Sequence, residues 1–182
     1  MRVQSRHARS LDATVEEVGR LVEALGGERD VLWPNDLWPG TQLEFDRPLG
    51  VGARGGHGVI RYAVEAYEPG RFVRFHFEPG QGLDGFHRFD IVALGDGRTR
   101  LAHTLDTRLE GAMRLTRPLL LRMHDTQIRQ LLDNAERATG GAVEQPTPMA
   151  LWMRALNAVE ARVGRRSDAA CTAPERSAGF GA

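Results

Sequence analysis

The feature that most restricts the fold is a hairpin pattern in residues 59–78, where two alternating runs flank a Pro69-Gly70 turn. Successive side chains of a strand point to opposite faces, so alternate residues share one face of a sheet. The apolar residues that share the inner face by this rule are Ile60, Tyr62, Val64, Ala66, Val73, Phe75 and Phe77. A two-residue turn pairs Glu68 with Arg71, and the pattern predicts an antiparallel sheet with one buried face.

A second hairpin pattern covers residues 85–94 and 98–109, around Gly95-Asp96-Gly97. A three-residue loop places Leu94 opposite Arg98. The same register places Phe89 opposite His103. It also makes His87 and His103 diagonal neighbours on the inner face, about 7–8 Å apart at the backbone. We therefore expect two histidines to project from adjacent strands toward one interior.

Two helices are predicted beside the strands. Thr14 and Glu17 have the spacing of a capping box, and Gly26-Gly27 ends the helix that follows. Residues 112–139 form the longest helical pattern, with a start near Thr116 because Pro118 suits a first turn. One face of this helix carries Leu120, Leu121, His124, Ile128, Leu131, Leu132, Ala135 and Ala138. Such a stripe predicts a long helix packed on the sheet.

The order of these segments resembles the helix-grip fold, over residues 2–140. The resemblance is carried by LDATVEEVGRLVEAL, RYAVEAYEPGRFVRFHF, GFHRFDIV, GRTRLAHTL and HDTQIRQLLDNAERA. These segments are similar to the superfamily that gathers START lipid-transfer domains, polyketide cyclases and dehydrases, and birch-pollen-allergen-like proteins. The resemblance implies an α+β domain over residues 1–140 whose curved antiparallel sheet wraps around a long C-terminal helix. It also implies a hydrophobic ligand between the two, which some members cyclise or dehydrate and others only carry or sense.

The C-terminal region has a different character. Residues 141–148 contain two prolines and are interpreted as a linker, and residues 164–182 are predicted to be disordered. Between them, residues 149–163 form an accessory amphipathic helix with a stripe of Met149, Trp152, Leu156, Val159 and Val163. This stripe must be buried against the domain, in a homodimer or other protein contact, or on a membrane surface.

Charge and composition exclude several classes of partner. Lys+Arg and Asp+Glu are 24 each, so the formal net charge is +0 and no bulk attraction to nucleic acid or anionic membranes is expected. Every basic residue is arginine, which indicates a high-GC genome and favours a bacterial source. The one cysteine, Cys171, fits a reducing cytoplasm. Neither a secretory signal nor an apolar run of about 18 residues is present, so the predicted location is cytoplasmic.

The predicted ligand-binding residues are the inward aromatic, histidine and helix-stripe positions. They are Trp38, Phe45, Tyr62, Phe75, Phe77, His87, Phe89, His103, Leu120, His124 and Ile128. The alternative is that these side chains simply fill a core. A curved sheet closed by one helix favours a cavity, because ligand pockets are lined by apolar residues with a few polar groups.

Three of these residues, His87, His103 and His124, are the candidate catalytic groups. Burial favours the neutral imidazole, which both donates and accepts hydrogen bonds and suits proton transfer or the polarisation of a carbonyl. A core histidine bonded to a hydroxyl is the alternative interpretation. The orientation of His7 and His57 is not assigned, whereas His76 is predicted to face solvent.

No metal or cofactor is predicted. The three histidines lack the tight spacing of known metal sites. Gly50, Gly52 and Gly55 match G-x-G-x-x-G, but they precede a strand rather than a helix and so make a poor phosphate cradle. The leading hypothesis is therefore the binding of a small hydrophobic ligand. The alternatives are a cyclase- or dehydrase-type enzyme and a protein-interaction module that uses the C-terminal helix.

Overall fold

A seven-stranded antiparallel sheet dominates the computed structural model, which describes residues 1–156 and 158. Its strands are β1 (Arg2–Leu11), β2 (Leu43–Phe45), β3 (Arg54–His57), β4 (Ile60–Glu68), β5 (Phe72–Phe77), β6 (Leu83–Gly95) and β7 (Arg98–Leu109). The strand order is β1-β7-β6-β5-β4-β3-β2, so β2 to β7 form a meander and β1 pairs with β7. The predicted α+β class, with a curved sheet and a long helix, is confirmed.

Both hairpins combine a turn with a β-bulge, and this corrects the predicted register near each turn. Glu68 pairs with Phe72 rather than with Arg71, and the bulge between Val64 and Ala66 restores the expected pairing of Val64 with Phe75. The second hairpin has Gly95 opposite Arg98, with a register shift after Ala93, so Leu94 is not opposite Arg98. From Val64 and Ala93 inward each bulge compensates for its turn, so the predicted inner face is retained there. Between the first bulge and its turn the prediction is wrong, because Tyr67 lies opposite the buried Val73 and takes the inner position predicted for Ala66, which lies opposite Arg74.

Two glycines allow neighbouring strands to approach closely. Gly56 in β3 has φ 156° and Gly85 in β6 has φ 147°, a region that side chains rarely adopt. A Cβ atom at Gly85 would collide with the carbonyl oxygen of Asp106, and one at Gly56 with that of Ile60. These positions therefore require glycine.

Two helices complete the fold. Helix α1 (Val15–Glu23) begins at the predicted capping box, in which Thr14 and Glu17 bond each other's backbone amides. Helix α2 (Arg117–Ala138) follows the short 3-10 helix Gly111–Arg114 and begins after Thr116, as expected from Pro118. The α2 helix packs against β1 and β7 and covers one end of the concave face.

The outer side of α2 is covered by residues 141–156, of which residues 151–156 are helical. Met149 and Met153 are buried there with Trp38, whereas Trp152 and Leu156 are 37% and 39% exposed. Trp152 and Leu156 are therefore not packed on the domain, because the buried side of this helix runs through Met149 and Met153, whereas their burial in a homodimer or other protein contact or on a membrane surface stays a prediction. Residues 157 and 159–163 of the predicted helix and the whole of the predicted tail lie outside the described residues.

Within the described part of the chain, no helix has both the length and the apolar character needed to cross a membrane.

Candidate functional site

A cavity of about 240 Å³ lies between the concave face of the sheet and α2. Its walls come from all seven strands, the loop between α1 and β2, the β3–β4 turn, the 3-10 helix and the first half of α2. The residues exposed to it are mostly aliphatic or aromatic, with histidines and a few neutral polar groups between them. No Asp, Glu, Arg or Lys side chain lines it among residues 1–156 and 158.

Nine of the eleven predicted ligand-binding residues line this cavity. They are Tyr62, Phe75, Phe77, His87, Phe89, His103, Leu120, His124 and Ile128. Trp38 lies instead in the cluster on the outer side of α2, where its indole Nε1 donates to Gln130 Oε1 at 2.6 Å. Phe45 packs behind the wall, with its ring 5.7 Å from Phe75 and 6.0 Å from Tyr62.

The sequence interpretation missed two aromatic groups of the wall. His57, at the end of β3, and Trp33, in the loop after α1, both line the cavity, with ring centroids 4.8 Å apart. His57 is flanked by Gly56 and Gly58, so no alternation of side chains indicated which way it points. The exposed position of His76 on β5 agrees with the prediction.

The histidines form a continuous row across the cavity. His103 Nε2 and His87 Nδ1 are 3.4 Å apart, at hydrogen-bond distance. The ring of His103 is also 5.1 Å from that of His124 on α2, and the ring of His87 is 4.4 Å from that of Tyr62. The sheet and the long helix thus bring together all three candidate catalytic histidines.

Comparisons with known proteins identify the architecture. No family model and no curated protein matches the sequence. A START superfamily protein from Mycobacterium smegmatis superposes with a TM-score of 0.52 at 16% identity, over 75% of this chain and 97% of that one. TTHA0849 from Thermus thermophilus gives 0.55 at 20% identity, over 75% and 97%. Norcoclaurine synthase from Thalictrum flavum, in complex with dopamine and hydroxybenzaldehyde, gives 0.51 at 14% identity, over 73% and 88%. The chain has the helix-grip fold.

Burial keeps three histidines and a tyrosine of the helix-grip cavity uncharged. Desolvation lowers the pKa of His57 to about 3, helped by electrostatic interaction with His124 and Arg61. It also holds the pKa values of His87 and His103 well below their usual range and raises the pKa of Tyr62 well above its own. His57, His87 and His103 are therefore neutral imidazoles at neutral pH, and Tyr62 is a neutral phenol.

Three imidazole nitrogens are buried without a hydrogen-bond partner in the described structure: His87 Nε2, His103 Nδ1 and His124 Nε2. Each neutral imidazole carries one proton, and His87 and His103 use one proton between them for their shared hydrogen bond. Their two outer nitrogens must then be one donor and one acceptor, whichever ring donates. The helix-grip cavity therefore offers a paired donor and acceptor in an otherwise apolar space.

Among the described residues, no group of three or more His, Cys, Asp or Glu side chains has the geometry to hold a metal ion. The cavity histidines instead contact one another or aromatic rings.

Proposed function

We propose that the protein binds a small, uncharged hydrophobic molecule in the cavity between the sheet and α2, for carriage or sensing. The observation behind this proposal is the apolar cavity itself, whose lining has no charged side chain among the described residues. A buried ionic group costs several kcal/mol unless it is paired, so a carboxylate or ammonium ligand is disfavoured. The volume of about 240 Å³ lies just below the usual range of about 300–1,000 Å³ and suits a small ligand.

The unpartnered nitrogens of His87 and His103 further restrict which functional groups the ligand can carry. A buried polar atom without a partner costs about 1–3 kcal/mol, which a ligand oxygen of the right kind offsets. A hydroxyl group both donates and accepts and so matches the donor and acceptor of the pair. A phenol or a hydroxylated ketone fits these groups, and hydroxybenzaldehyde, one of the two ligands in the norcoclaurine synthase complex, is an uncharged phenol of this kind.

Displacement of an uncharged dye tests this proposal directly. Phenyl-naphthylamine is bound first, and naphthol or naphthoate is then titrated against it. We expect naphthol to displace the dye and naphthoate to fail, because only the naphthoate brings a charge into the cavity. Leu120→Trp, which fills the cavity, should abolish dye binding. Leu94→Trp, on the exposed end of the second hairpin, should leave it unchanged. Absence of dye binding to the unmodified protein would refute the proposal.

The second candidate function is a cyclase- or dehydrase-type enzyme that uses His87, His103 and His124 as acid–base groups. The observation that favours it is that all three have an unpartnered nitrogen at the cavity. Mass spectrometry of small molecules that co-purify with the protein, followed by incubation of each with fresh protein, distinguishes a ligand from a substrate. A co-purifying compound that is never converted points to carriage or sensing.

A further inference from the structure

The imidazole of His124 is oriented by its neighbour on α2. His124 Nδ1 lies 3.3 Å from Asp125 Oδ1, and the side chain of His124 is only 18% exposed. A carboxylate only accepts hydrogen bonds, so this contact requires the proton on Nδ1. In the neutral form of the ring the opposite nitrogen, Nε2, has a free lone pair, and Nε2 is buried without a partner in the described structure.

The Asp125 carboxylate is itself held by β1. Ser5 Oγ donates to Asp125 Oδ1 at 2.7 Å, and His7 Nε2 lies 2.9 Å from the same oxygen. The hydrogen bond from His124, followed by those from His7 and Ser5, keeps the pKa of Asp125 far below its usual value. The group is therefore a carboxylate at neutral pH, with its position set by two elements of the fold.

This arrangement matches the relation between base and orienting acid in a catalytic triad. The acid fixes the tautomer of the imidazole and stabilises the imidazolium that forms when the other nitrogen takes up a proton. Asp125 is 37% exposed and lies outside the cavity lining, while His124 is part of the lining. The negative charge thus stays near solvent, and the imidazole belongs to the wall of the apolar space.

We infer that His124 and Asp125 form an acid–base dyad that removes a proton from an uncharged, enolisable carbonyl compound bound in the cavity. The inference rests on the proposed binding function. The C–H bond next to the carbonyl breaks, the proton bonds to His124 Nε2, and the electron pair moves to the carbonyl oxygen. The resulting enolate oxygen accepts the hydrogen bond that the His87–His103 pair offers. Return of the proton to a different atom completes an isomerisation, with no oxidant or reductant.

In this dyad His124 is the catalytic residue and Asp125 a positioning residue. Nitrobenzisoxazole is a suitable probe because it is uncharged, aromatic and opened by a base. The base takes its C–H proton, the electron pair forms a nitrile, and the N–O bond breaks to release a coloured phenolate. We expect His124→Gln to lower kcat/KM by about 100-fold. Asp125→Asn should lower kcat by at least about tenfold and leave KM unchanged. His76→Gln, at an exposed position of β5, is the matched control and should match the unmodified protein.

Two measurements separate this inference from the binding proposal. Phenyl-naphthylamine affinity is measured for every variant, and nitrogen NMR of the unmodified protein determines which nitrogen of His124 is protonated. Dye binding without probe turnover above that of free imidazole, or full turnover in His124→Gln, would overturn the dyad and leave ligand binding intact. A proton on Nε2 of His124 would overturn it as well, without the use of any variant. If the dye does not bind at all, the proposed function and the dyad fail together.

Discussion

The two sides of helix α2 differ in whether their buried polar groups have hydrogen-bond partners. On the outer side, Gln130 accepts from Trp38 and its amide donates to the carbonyl of Thr147, while Asp133 accepts from the backbone of Thr147 and from Arg9. On the inner side, one buried ring nitrogen each of His87, His103 and His124 has no partner in the described structure. The outer network holds the fold together, whereas the inner groups retain a desolvation cost that a ligand offsets.

The largest loss of stability is expected from truncating Trp38, which packs with Met149 and Met153 on the outer side of α2. Trp38→Ala should lower the free energy of unfolding by about 3–5 kcal/mol, because it removes a fully buried indole and leaves a cavity. Denaturant unfolding measures the change. Dye affinity at temperatures where the variant stays folded should be nearly unchanged, since Trp38 does not line the cavity. A large loss of affinity in folded Trp38→Ala would contradict this separation of the two sides.

A smaller loss is expected from Gln130→Leu, which keeps the volume but removes the outer acceptor. The indole N–H of Trp38 and the carbonyl of Thr147 then lose their partner, and we expect a loss of about 1–3 kcal/mol in denaturant unfolding. Arg129→Leu, on the exposed surface of the same helix, is the control for a leucine in α2. Equal stability of the two variants would show that the outer network contributes little.

Acid should lower the free energy of unfolding through the buried histidines on the inner side of α2. The pKa values of His57, His87 and His103 are lower in the folded protein than in the unfolded chain. Below pH about 6.5 the unfolded chain therefore binds more protons than the folded protein. The stability linked to these groups is present above pH about 6.5 and is lost as the pH falls toward their lowered folded-state pKa values, by at most about 1.4 kcal/mol per pH unit for each histidine. Unfolding in denaturant at pH 7.5 and 5.5, values chosen on either side of the pKa of free histidine, measures the slope. A slope that is unaffected by removing His87 and His103 would contradict this assignment.

The smallest effect on stability is expected when both members of the inner pair become apolar. His87→Leu combined with His103→Leu removes the shared hydrogen bond and both unpartnered nitrogens, so the unfolding free energy should stay within about 1 kcal/mol or rise. The ligand preference should change more. Naphthol should lose its advantage over naphthalene in dye displacement, while naphthalene binds as before. A strongly destabilised double variant would show that the pair is structural.

The predictable parts of the site are those that lie in regular elements. His87 and His103 were placed on one face because alternation is preserved through β6 and β7 from Ala93 inward. His124 followed from the 3.6-residue period of α2. Trp38 was misplaced because residues 30–42 form turns and bends with no repeating period to indicate a direction. His57 was left unassigned for a related reason, since the glycines around it have no side chains to alternate.

The outer network escaped prediction because it joins polar residues that a search for apolar periodicity does not use. Gln130 and Asp133 are buried only because Trp38 and residues 141–149 cover that side of α2. The bulges after Val64 and Ala93 were likewise not visible as motifs. They compensate for turns whose length depends on how the strands twist together.

By itself, the sequence determined the elements of this protein, their order and which face of each is apolar, because these depend on side-chain period, capping and turn residues close together in the chain. Tertiary structure alone decided how much space remains between sheet and helix and which nitrogens lack a partner there. It also decided the contact of His7 with Asp125 across 118 positions of the chain. Such features arise from packing between distant segments, and no local pattern encodes the distance between them.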